Sequence, residues 1–62
     1  MTEQQASNLK ERIMVEMPTI KVEQARRGST WWVLKLKNTK IKRELSILHI
    51  DEWESVRQVW QS

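Results

Sequence analysis

Between Ile20 and Ile47 apolar side chains recur at alternate positions, and this period of two constrains the fold more than any other feature of the chain. Ile20 and Val22, then Trp32, Leu34 and Leu36, then Leu45 and Ile47 form three such runs. A strand turns successive side chains to opposite faces, so each run predicts a strand with one face in a core. The segment divides into TIKVEQA, RRG, STWWVLKLK, NT and KIKRELSILHI, three strands joined by two tight turns.

The only glycine, Gly28, ends the three-residue loop Arg26-Arg27-Gly28 in this reading, where a left-handed residue is wanted. Pairing Ala25 with Ser29 sets Val22 opposite Trp32 and Ile20 opposite Leu34. A two-residue turn at Asn38-Thr39 sets Leu36 opposite Ile41, Leu34 opposite Arg43 and Trp32 opposite Leu45. The two registers agree on the faces. Ile20, Val22, Trp32, Leu34, Leu36, Ile41, Leu45 and Ile47 fall on one side, with Arg43 as the charged misfit. Lys21, Glu23, Trp31, Val33, Lys35, Lys37, Lys40, Lys42, Glu44 and Ser46 fall on the other. A slip of one residue would scatter the apolar set.

The flanks are helical in different degrees. Asp51 and Glu54 have N-cap and N3 spacing, and Trp53, Val56 and Trp60 make one stripe able to cover the apolar sheet face. Residues 1–11 are a polar tail or a short helix. Thr2 and Gln5 have capping-box spacing, and Ala6, Leu9, Ile13 and Met17 share a helical face. Ile13, Val15 and Met17 also alternate as a strand would, so 1–17 admit helix, strand and disorder. The fold class is α+β: a three-stranded antiparallel sheet packed on a C-terminal α-helix, with 12–62 as one small domain.

Composition removes several classes of chemistry. There is no cysteine and one histidine, His49, so disulfides, thiolate sites and His-based zinc sites are excluded. No metal or cofactor is expected. The polar start MTEQQASNLKE lacks the apolar run of a signal peptide, and nothing approaches the roughly 20 apolar residues of a membrane span. A cytoplasmic protein without a membrane partner is the expectation. No second histidine, thiol or carboxylate pair converges with His49, which reads as a capping or packing residue at the strand-to-helix junction. The chain is expected not to be an enzyme.

Charge points elsewhere. RRGSTWWVLKLKNTKIKR, residues 26–43, holds seven Lys and Arg in eighteen residues and no acid. Four basic residues remain against all eight acids, so a net charge of +3 conceals a +7 segment beside a −4 remainder. Such separation suggests a basic face aimed at a polyanion. The register sets Lys37 opposite Lys40 and Lys35 opposite Lys42, two repelling pairs that a bound anion would relieve, unless they serve only to protect an exposed edge. Trp31 turns outward beside Glu23 and Ser46, to stack on a base, to join a dimer interface or to lie on lysine stems. Arg26 and Arg27 would clamp at the turn.

These residues point to a small nucleic-acid-binding protein, DNA or RNA, with Arg26, Arg27, Lys35, Lys37, Lys40 and Lys42 on phosphates and Trp31 stacking or wedging. The alternative is an adaptor or inhibitor docking on an acidic protein through a Trp31/Val33 patch with a lysine rim. A homodimer through the first strand is also expected, with Ile13, Val15 and Met17 continuing that strand beyond Pro18. A three-stranded sheet with a C-terminal helix resembles the DNA-reading domain of some phage-type integrases, which insert the sheet in the major groove. The ending LSILHIDEWESVRQV is similar to that of single-stranded-DNA-binding transcription coactivators, through Trp53 and the aliphatic Val56. Neither resemblance transfers site residues.

Overall fold

The computed structural model describes residues 1–61. They form α1 (Glu3–Glu16), β1 (Ile20–Arg27), β2 (Trp31–Asn38), β3 (Arg43–Ile47) and α2 (Glu52–Gln61). The strands make one antiparallel sheet in the order β1-β2-β3, which gives an α+β layout with a C-terminal helix.

Of the three readings for the N-terminal segment, the helix is adopted. The Gln5 N–H donates to Thr2 Oγ1 at 3.2 Å while the Thr2 N–H donates to Gln5 Oε1 at 3.0 Å, so the capping box closes in both directions. Ala6, Leu9 and Ile13 are buried along one face. Pro18 ends the helix, because its ring disfavours helical backbone at Met17, which leaves at φ −138° and ψ 76°. Pro18 then opens a turn in which the Ile20 N–H donates to the Met17 carbonyl at 3.1 Å. Ile13, Val15 and Met17 therefore do not extend the first strand. Ile13 faces the core and Val15 faces solvent.

Both hairpins depart from the sequence expectation, the first by a three-residue loop that lies two positions further along the chain and the second by a wider turn. Arg27 pairs with Trp31, so the first loop is Gly28-Ser29-Thr30, and Val22 faces Leu36 in place of Trp32. Gly28 has the expected positive φ, +77°, but it opens the loop. Asn38 pairs with Arg43 across a four-residue turn, and Leu36 faces Leu45 in place of Ile41. The cause of the wider second turn is visible at Asn38. Its Oδ1 accepts the N–H groups of Lys40 (3.1 Å) and Ile41 (3.4 Å), so its side chain, not its own backbone, makes the bend. Lys42, with φ 55°, takes the left-handed position.

Each partner thus moves four places along the chain. An even shift leaves the faces unchanged, so Ile20, Val22, Trp32, Leu34, Leu36, Leu45 and Ile47 do meet in one core. Ile41 does not join them. It lies in the turn, 46% exposed. Arg43 is exposed at the rim.

The helices share the apolar face. α1 lies over β1 and β2, and α2 borders β3, where Leu45, Val56 and Trp60 line one cavity. The sequence reading gave this face to α2 alone. Trp53 of α2 is wholly buried. Removing an indole's roughly 200 Å² from water is worth about 5 kcal/mol before ordering entropy is subtracted. Its Nε1–H donates to Glu16 Oε2 at 2.8 Å. Glu16 also meets Arg12 at 3.0 Å and Arg57 at 3.6 Å, while Glu54 meets the same two arginines at 2.9 and 2.8 Å. The Trp53 hydrogen bond, followed by that from Arg12, holds the Glu16 carboxyl below its ordinary value.

Met1 fills the sheet corner beyond β3. Its ammonium donates to the carbonyls of Trp32 (3.0 Å) and Leu48 (3.2 Å), and its own carbonyl accepts the Trp32 N–H at 2.7 Å.

Candidate nucleic-acid interface

Both helices pack on one face of the sheet, so the other face is open. Its residues follow from the pairing. Along β1 run Lys21, Glu23, Ala25 and Arg27; along β2 run Lys37, Lys35, Val33 and Trp31; along β3 run Glu44 and Ser46. Lys21, Glu23, Lys35, Lys37, Glu44 and Ser46 line a shallow groove of about 520 Å³ at the end nearer the second turn.

The two repelling lysine pairs do not form. Lys35 lies between Glu23 and Ser46, and Lys37 lies between Lys21 and Glu44, whose Oε1 is 3.6 Å from Lys37 Nζ. One like-charge contact, Lys21 with Lys37, replaces the expected two. Lys40 and Lys42 leave the sheet face altogether, because the wider turn takes them in. They project from the end of the sheet that also carries Lys21, Lys37 and Arg43. Lys21 and Arg43 were not among the sequence-derived site residues. The signal for Lys21 was present, since the alternation had already put it on this face.

At the opposite end the expected clamp splits. Arg27 lies on the open face beside Trp31. Arg26 shares a face with the core residues and its Nη2–H donates to the Ser29 carbonyl at 2.6 Å, which braces the loop. Trp31 does not neighbour Glu23 or Ser46. It is 41% exposed and meets the His49 ring edge-on, with centroids 6.0 Å apart and planes at 66°. His49 packs there as expected of a junction residue, and its carbonyl accepts the Glu52 N–H at 3.1 Å. The expected Asp51/Glu54 capping box gives way to a Glu52 carboxylate that accepts the Leu48 N–H at 3.2 Å. Val33 points to the open side yet is 5% exposed, so it supplies no apolar surface for docking.

Charge therefore separates by layer as well as along the chain. Residues 20–47, the sheet and its turns, carry eight Lys and Arg against two acids, a net of +6. The remainder carries three against six, a net of −3. Within the helical layer Arg12 and Arg57 pair with Glu16 and Glu54 in a network of zero net charge, so the −3 resides on Glu3, Lys10, Glu11, Asp51 and Glu52. Among the described residues the sheet layer holds one ion pair, Lys37 with Glu44. Among those residues, no helix is long and apolar enough to cross a membrane.

No protein-family model matches the chain, and no curated protein or solved structure shows detectable similarity to it.

Proposed function

We propose that this is a small non-enzymatic nucleic-acid-binding protein that lays the open face of its sheet on a phosphodiester backbone. The observation that carries this reading is the separation of charge by layer, +6 on the sheet and −3 on the helices, with the helices confined to the other face. The open face itself holds Lys21, Lys35, Lys37 and Arg27 against Glu23 and Glu44, a net of +2, and Lys40, Lys42 and Arg43 add to it from the second turn. Such a field attracts a polyanion and releases its counterions. Lys21, Lys35 and Lys37 would meet phosphates across the groove. Lys40, Lys42 and Arg43 would grip at the second turn and Arg27 at the far end, with Arg26 as the brace of its loop. Trp31, exposed beside Arg27, would stack on a base or wedge against one.

The adaptor reading loses its apolar centre, because Val33 is buried and Trp31 alone remains of the patch. Titrating labelled single- and double-stranded oligonucleotides at two salt concentrations tests the proposal. Four to six phosphate contacts predict a slope of log K against log salt of roughly −3.5 to −5.5. No binding at low salt would overturn it and favour an acidic protein as the partner.

A further inference from the structure

We propose that two copies of this chain pair antiparallel along β1, joining two three-stranded sheets into one. Trp32 directs both its N–H and its carbonyl to Met1, away from β1. Backbone groups in an antiparallel ladder alternate in the side to which they point. Arg26, which faces Trp32, therefore turns its own groups outward, and Gln24 and Val22 follow at the period of two. Ile20 agrees independently, since its N–H turns back to Met17 and not to β2. The edge of β3 is poorer, with five residues, and Leu48 beyond it is already committed to Met1 and Glu52.

Proteins usually blunt a free edge with proline, a bulge or charge. β1 contains no proline or glycine. Lys21 alone would deter pairing, but Glu23 follows two residues later on the same face and reverses that effect. A two-fold axis at Val22 sets Lys21 opposite the partner's Glu23 and Glu23 opposite the partner's Lys21. The Val22 backbones then exchange hydrogen bonds at the axis. An axis at Lys21 or at Glu23 would instead oppose like charges, which destabilises a sheet. The helix above this edge is compatible. Arg12 and Glu16 hold α1 to α2, and Met14 lies about 200° round the helix from both. That puts a 52% exposed Met14 on the flank of α1 facing the β1 edge. The joined sheets would present both lysine faces on one side.

Sedimentation equilibrium over a concentration series, without nucleic acid, tests this independently of the binding reading. The parent chain is expected to dimerise at micromolar concentration. Lys21→Glu and Glu23→Lys each turn two attractive seam pairs into two repulsive ones and should weaken the dimer about tenfold or more. Mixing the two variants one to one should restore a heterodimer, because each supplies the charge the other lacks. Both sites are exposed, so far-ultraviolet circular dichroism should stay as in the parent. A parent monomeric at 100-fold higher concentration, on the order of 10⁻⁴ M, or a mixture as monomeric as its components would overturn the proposal. So would a dimer indifferent to Lys21→Glu, since Lys21 then lies outside the seam.

Discussion

Replacing Gly28 isolates one physical effect, because a Cβ built there meets nothing within 4 Å. Packing is therefore silent, and only the backbone at φ +77° decides the outcome. An L-residue in the left-handed region costs roughly 1–2 kcal/mol. Losing glycine's freedom in the unfolded chain returns about 0.4–1 kcal/mol. Gly28→Ala should thus destabilise by about 0–1.6 kcal/mol, the difference of the two. Gly28→Val should cost about 2 kcal/mol, since a β-branched side chain resists this region more. D-alanine at the same position keeps the entropic gain and avoids the strain, so it should stabilise by about 0.4–1 kcal/mol. The chain is short enough for chemical synthesis. Each kcal/mol moves the thermal midpoint of such a domain by roughly 4–8 °C, well within the reach of a circular dichroism melt. The same loop sets the register that places Arg27 beside Trp31, so the ranking D-Ala, Gly, Ala, Val also orders how firmly that end of the open face is held. A valine variant as stable as the parent, or a D-alanine variant less stable than its L counterpart, would refute the backbone argument.

Three further outcomes follow from the same structure. Lys35→Ala with Lys42→Ala should reduce the steepness of the salt slope by about 1.8, two phosphates at roughly 0.9 each, with equal losses for all sequences. Unequal losses among sequences in the oligonucleotide titration would mean that one of these lysines reads a base. Asn38→Ala leaves the Lys40 and Ile41 N–H groups without their acceptor and should cost about 1–2 kcal/mol in urea unfolding, while Asn38→Asp keeps the acceptor and should lose less. Glu16 has a folded value below its unfolded value near 4.5, so its contribution is present above that pH and is lost as pH falls through the lowered value. Glu16→Gln should flatten the acid limb of a stability profile, and an unchanged limb would place the acid sensitivity elsewhere.

The faces of the sheet were legible in the sequence and the pairings were not, for one reason. Side chains alternate with a period of two, so any even error in register preserves which residues face the core. The errors at both hairpins were four, and the core set survived them apart from Ile41. The electrostatics did not survive, because charge depends on which residue lies opposite. Lys40 and Lys42 moved into the turn, Glu44 came beside Lys37, and Glu23 came beside Lys35. The register shifts that cause this rest on the Asn38 side chain, which widens its turn, and on Gly28 opening its loop rather than closing it, two choices that dipeptide preferences do not separate. At the N-terminus the two periodicities of Ile13 to Met17 were both real, and the capping box and Pro18 decide between them.

The corrected pairing changes why the open face would seek an anion. With two lysine pairs facing each other, relief of local repulsion would have been the driving force. The structure keeps one such contact, Lys21 with Lys37, and gives Lys37 a carboxylate partner on its other side. Under the proposed function, the pull on a polyanion would come from the summed field of the layer rather than from any close pair. The helical layer carries a net −3 of its own, and of its charges Arg12, Glu16, Glu54 and Arg57 are tied up with one another on the face away from the groove. A field of this kind grips backbone without reading sequence, since phosphate contacts position and base contacts specify. Under the proposed function, any contact with a base would fall to the exposed ring on that face, Trp31, whose edge-on contact with His49 holds it at the end of β2 beside Arg27.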